Sequence, residues 1–81
     1  MKFTIKLTGI EDVKRFVAVT NKFAEDIDVS PIDRRYTVDG HSILGIFSLD
    51  LRKDLTIEFL GTEERFEQFK KLVRGTDIFI G

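Results

Sequence analysis

The sequence predicts an α+β fold in which a four-stranded antiparallel sheet is covered on one face by three helices, in the order β-α-β-β-α-β-α. Three observations predict it. Four segments alternate apolar and polar residues with period 2, as strands with one wet face do. Three other segments gather apolar residues on helices behind plausible cap residues. Gly and Pro fall between these segments, where the chain must turn. Strands with one wet face belong to antiparallel-rich sheets whose apolar side is covered by helices.

The elements can be placed in order. Phe3, Ile5 and Leu7 alternate with Lys2, Thr4, Lys6 and Thr8 to give the first strand. The period then changes: Val13, Phe16, Val17, Thr20, Phe23 and Ala24 fall at helical spacing, and Thr8 followed by Glu11 matches a capping box. A first helix is expected from Gly9 or Ile10 to Lys22. Ile27 and Val29 alternate with Asp26, Asp28 and Ser30; Pro31 and Asp33 interrupt; Tyr36 and Val38 resume before Asp39 and Gly40. That pattern is a hairpin with a Pro-containing loop. From Ser42 to Leu51 the chain is apolar nearly all round, with Ser42 where an N-cap stands, which predicts a short second helix. Leu55, Ile57 and Phe59 alternate with Thr56, Glu58 and Leu60 in a fourth strand closed by Gly61. The last helix follows from Thr62 as cap, Glu63 and Glu64 in the first turn, and Phe66, Phe69, Leu72 and Val73 inward; Lys70 and Lys71 lie near its end and Gly75 beyond it. The apolar tail Ile78, Phe79, Ile80 docks either on the sheet or on another copy of the chain.

With 81 residues there is room for one domain, 1–81, and none for an enclosed active-site cleft. Hydrophobic residues at 42% and charged ones at 33% support one core under a solvated surface, and eight phenylalanines fill much of that core. The net charge of −1 offers no global attraction to nucleic acid or to an anionic membrane. The basic doublets Lys14–Arg15, Arg34–Arg35, Arg52–Lys53 and Lys70–Lys71 are dispersed and matched by 14 acids. RNA binding on a sheet face is the rival reading for small domains of this element order, but the outward strand positions here lack the aromatic residues it requires. There is no cysteine, and no apolar run approaches the roughly 20 residues of a membrane span, so we expect a cytoplasmic protein.

The run Ser42-Ile43-Leu44-Gly45-Ile46-Phe47-Ser48-Leu49 resembles the segment around the regulatory serine of HPr, the phosphocarrier family of the bacterial sugar phosphotransferase system. In that family a Ser-Ile-x-Gly-x-x-Ser-Leu run forms the short second helix. The element order is that of HPr over nearly the whole chain, and Leu55 through Gly61 into Thr62 and Glu63 is similar to its last strand and helix. The resemblance implies an HPr-like open-faced β-sandwich, no cofactor, and protein partners of the phosphotransferase or carbon-regulation type.

One departure bears on function. The family carries its phosphoryl group on a histidine in a Gly-x-His-Ala-Arg-Pro run opening the first helix; here Gly9 and Ile10 are followed by Glu11, Asp12, Val13 and Lys14. A carrier site needs a neutral imidazole nitrogen as nucleophile, helix amides to hold the phosphate and a cation beside it. With Glu11 and Asp12 at the replaced histidine position, only the amides remain, and two carboxylates repel an incoming phosphoryl group. The chain is therefore expected to be a docking or regulatory domain and not a carrier. Glu11 either mimics the charge of a phosphorylated carrier or serves as an ordinary acidic helix opening.

The resemblance places a regulatory phosphoserine at Ser42, which is otherwise an N-cap. It also places partner contacts at Ile43, Leu44 and Phe47, on a helix too apolar to bury every side, and at Glu11. Ile46 and Leu49 are assigned inward. His41, the only histidine, is expected to face solvent before the second helix; a phosphate relay through it is the weaker alternative. Asp26, Asp28 and Asp33 are explained by solvation, and no metal is expected.

Overall fold

The computed structural model describes all 81 residues, Met1–Gly81. Seven elements follow one another: β1 (Lys2–Ile5), α1 (Ile10–Thr20), β2 (Asp26–Pro31), β3 (Val38–Asp39), α2 (Ile43–Phe47), β4 (Leu55–Leu60) and α3 (Glu63–Arg74). The strands form one sheet in the order β1-β4-β2-β3, and every neighbouring pair is antiparallel. β4 is central: Ile57 lies between Phe3 of β1 and Val29 of β2, so the alternating apolar residues form continuous rows on the buried face.

The three helices cover that face. Phe69 of α3 is fully buried, and its ring meets those of Phe3, Phe16, Phe23 and Phe59, with centroids 5.3–6.5 Å apart. Six of the eight phenylalanines are buried; Phe79 is half-buried and Phe47 is exposed. Large aromatic side chains thus make up much of a small core.

The tail docks on its own sheet. The Lys6 amide donates to the Ile78 carbonyl at 2.9 Å, and the Ile80 and Gly81 amides donate to Thr4 O at 3.0 and 3.2 Å. Residues 78–81 therefore run along the outer edge of β1, and Ile78 is buried. This satisfies edge groups that would otherwise stand open.

Four expectations need correction. The Thr8–Glu11 capping box does not form, because α1 starts at Ile10 with Gly9 as its N-cap and Asp12 in the third helical position. Asp12 reaches back instead, accepting from the Thr8 hydroxyl at 2.6 Å and the Thr8 amide at 2.9 Å. α2 is only five residues long, and Leu49 packs into the core from the turn that follows it. Leu72 is exposed: it lies about 90° round α3 from the face made by Phe66, Phe69 and Val73. β3 has shrunk to two residues, and Tyr36 lies outside it on the exposed loop.

One glycine is fixed by packing. The Gly40 amide approaches the Ile27 carbonyl to 2.6 Å, and a Cβ at Gly40 would sit 2.8 Å from both Ile27 O and Ile27 Cγ2. Only glycine lets β3 turn so close to β2. The buried Thr20 hydroxyl then donates to the Gly40 carbonyl at 2.8 Å, tying the end of α1 to the same turn.

Candidate functional site

The opening of α1 presents carboxylates. Glu11 is exposed; Asp12 is held by Thr8 and by Arg15, whose Nη1 lies 3.4 Å from its Oδ1. The Thr8 hydroxyl, with the Thr8 amide and Arg15 adding to it, keeps the Asp12 carboxyl below the usual carboxylate range despite partial burial. Asp12 therefore stays charged at the positive end of the helix.

Beside this turn lies a hollow of about 330 Å³ lined by Lys6, Thr8, Gly9, Leu51 and Arg52. Both of its cations are engaged. Lys6 Nζ donates to the carbonyls of Leu51 and Arg52, and Arg52 donates to the two carboxylate oxygens of Asp50 at 3.0 and 3.2 Å. The guanidinium pulls the Asp50 carboxyl down to about 2. Nothing in sequence spacing could have shown this hollow, because Lys6 and Arg52 stand 46 residues apart.

α2 is built on Ser42, whose Oγ accepts from the Gly45 amide at 3.0 Å. Ile46 points inward and is fully buried, which leaves the rest of a short apolar helix facing out. Leu44 is 79% exposed, Phe47 40% and Ile43 36%. Three large apolar side chains on a five-residue helix form a patch of the kind that marks protein contacts.

His41 does not face solvent as expected. Its side chain is only 25% exposed, with Nε2 2.8 Å from the carbonyl of Phe23 and Nδ1 3.1 Å from Asp39 Oδ1. Desolvation is the largest influence on the ring and disfavours its charge. The Phe23 carbonyl and Asp39, with the field of Asp26, outweigh it, so the imidazole titrates above its ordinary 6.5. His41 sits just beyond the carboxyl end of α1, and α1 is eleven residues long, so roughly 16 Å of helix separates it from the turn that carries Glu11.

The uncovered face of the sheet is acidic. One residue from each strand falls in a row across it, in the order Lys2, Glu58, Asp28, Asp39. Burial first, and then Asp26, Glu58 and Asp39, raise the Asp28 carboxyl above its ordinary range. No group of three or more His, Cys, Asp or Glu side chains is arranged to hold a metal ion, and no helix is long and apolar enough to cross a membrane.

Set against known proteins, the sequence matches no protein-family model and no curated protein. Its structure is similar to several solved ones. It is similar to HPr-C-His from Thermoanaerobacter tengcongensis, with a TM-score of 0.71 and 23% identity over 93% of this chain and 92% of that one. The histidine-containing phosphocarrier protein of Mycoplasma aligns over the full length of both chains with a TM-score of 0.73 and 16% identity. The phosphocarrier HPr of Bacillus anthracis gives 0.64 and 25% identity over 90% of this chain and 95% of that one. The fold is that of the HPr phosphocarriers: an open sheet of four antiparallel strands with three helices.

Proposed function

We propose that residues 1–81 act as an HPr-like docking domain in the cytoplasm. It binds proteins of the phosphotransferase or carbon-regulation type through Ile43, Leu44, Phe47 and Glu11, relays no phosphoryl group through a histidine, and is switched by phosphorylation of Ser42. The placement of His41 supports this most. The only imidazole of the chain is bonded at both nitrogens and lies at the opposite end of α1 from the helix amides that a carrier uses. Glu11 and Asp12 occupy the turn where the histidine of the family would stand.

Docking is supported by the exposed apolar patch on α2, and the switch by its position at the foot of that patch. A phosphate on Ser42 would add about two negative charges beside Ile43 and Leu44. It would also compete for the Gly45 amide that Ser42 Oγ now holds. The acidic row across the sheet argues against RNA on the open face, since a polyanion would meet Glu58, Asp28 and Asp39 there.

Two measurements test the reading. With the 15N-labelled protein and the general phosphotransferase enzyme, amide shifts should move at Glu11, Ile43, Leu44 and Phe47, and Leu44→Asp should abolish them. Shifts confined to the sheet face would defeat the docking assignment. With an HPr serine kinase and ATP, the intact mass should rise by one phosphoryl group, and Ser42→Ala should remove the gain. A gain that survives Ser42→Ala would move the switch elsewhere.

A further inference from the structure

We infer that His41 is a proton-operated latch on α2: its imidazolium, donating from both ring nitrogens, pins the chain entering α2 to the end of α1, and loss of the proton loosens α2. The geometry is specific on this point. Both partners of the ring, the Phe23 carbonyl and the Asp39 carboxylate, are acceptors only. A neutral imidazole has one donor nitrogen and one acceptor nitrogen, so whichever tautomer it takes, one lone pair must face an oxygen. Only the protonated ring satisfies both contacts; the cost of a mismatch falls mainly on the half-buried Phe23 carbonyl, since the Asp39 contact is open to water.

The surroundings reinforce the demand for a cation. α1 has no basic residue in its last turn, where a positive charge would complement the helix dipole. His41 stands at the Phe23 carbonyl, three residues past that end, and Lys22 is the nearest basic residue along the chain. Asp39 faces the ring from β3 and Asp26 acts on it from β2; α2, with the sequence Ile-Leu-Gly-Ile-Phe, contributes no charge. The His41 amide also donates to Asp39 Oδ1 at 2.9 Å, and the Ser42 amide donates to Asp39 O at 3.1 Å. The imidazolium, Asp39 and the first residue of the α2 cap thus form one unit.

The sign of the effect follows from linkage. A histidine whose folded form titrates above its ordinary value stabilises fully below that ordinary value, and the contribution is lost as pH rises through the folded midpoint. The latch is closed in mild acid and opens on the alkaline side. Its effect on partner docking rests on the function proposed above, but the latch itself does not, so it can be tested without any partner.

Because the chain has a single histidine, ring 15N and 13C resonances report it without ambiguity. Three results are expected of the whole protein between about pH 5.5 and about pH 9. The ring titrates with a midpoint above 6.5, with both nitrogens protonated below that midpoint. Asp39→Asn lowers the midpoint. Hydrogen-exchange protection of the Ile46 and Ser48 amides, which bond back to Ser42 and to Leu44 and Gly45, falls relative to Ile57 and Phe59 of β4 as pH rises, after correction for intrinsic exchange. A midpoint at or below 6.5 overturns the latch. So does α2 protection that tracks β4 throughout, whatever the midpoint. His41→Gln, which keeps one donor at every pH, should remove the pH dependence of the α2-to-β4 ratio.

Discussion

The segment from β4 through α3 and the segment from β3 through α2 are both rich in apolar residues, yet they use them differently. In the first, Leu55, Ile57, Phe59, Phe66, Phe69 and Val73 enter the core, and only Leu60 and Leu72 are exposed. In the second, Ile46 is the one large apolar residue fully buried and Val38 is half-buried, while Ile43, Leu44 and Phe47 remain at the surface; Leu49 enters the core only from the turn beyond it. Each segment has a helix capped by a hydroxyl: Thr62 Oγ1 accepts from the Arg65 amide at 3.2 Å, and Ser42 Oγ from the Gly45 amide at 3.0 Å. The difference lies in length. Twelve residues let α3 turn its apolar face inward and its charges outward, with Glu63 and Glu64 at its start and Lys71 and Arg74 at its end. Five residues of nearly unbroken apolar sequence give α2 no such separation. An apolar surplus that a short helix cannot bury becomes surface, and surface of this kind is suited to binding.

Substitutions can break that contrast, and unfolding in urea would rank them. Phe69→Ala should be the most damaging, at about 3–5 kcal/mol, because four aromatic neighbours lose their common contact. The corresponding change in the other segment, Phe47→Ala, should cost well under half as much. Gly40→Ala should follow at about 1–3 kcal/mol, since the added Cβ collides with backbone that cannot move without opening the β2–β3 pair. Thr62→Ala should cost about 1 kcal/mol through loss of the α3 cap. Asp28→Asn should act in the opposite direction, raising stability at neutral pH by a few tenths of a kcal/mol to about 1 kcal/mol by relieving like charges set opposite one another. The carboxyl of Asp28 is raised in the folded state, so this gain should disappear as pH falls and the native side chain takes up its proton. Leu44→Asp should change stability least, by about 0.5 kcal/mol or less, while removing the partner-induced shifts at α2.

The same contrast governs what could be read from the sequence. β4 and α3 were legible because period, caps and turn residues agree: Thr62 caps, Gly75 follows, and the alternation of Leu55 to Leu60 has one register. Leu72 adjoins Val73 in an apolar pair, but its angle around the helix places it outside the core face. At α1, Thr8 and Glu11 had capping-box spacing, but the helix began one residue late at Ile10, so Asp12 took the reach-back position. The exposed patch of α2 followed from counting apolar residues against the sides of a short helix. The role of His41 could not be read, because its partner Phe23 lies 18 residues away and is engaged through a backbone carbonyl, which no side-chain pattern records. The tail was likewise open: Ile78, Phe79 and Ile80 could be recognised as apolar, but not that the free edge of β1 would receive them.

The central claim is that this fold has its histidine in a structural position and performs no phosphoryl relay. The most direct measurement is the intact mass of the protein after incubation with the general phosphotransferase enzyme and phosphoenolpyruvate, taken under conditions that preserve phosphohistidine. The account predicts an unchanged mass, with a histidine-bearing HPr in the same mixture gaining one phosphoryl group. A gain of that mass on this chain, abolished by His41→Ala, would contradict it.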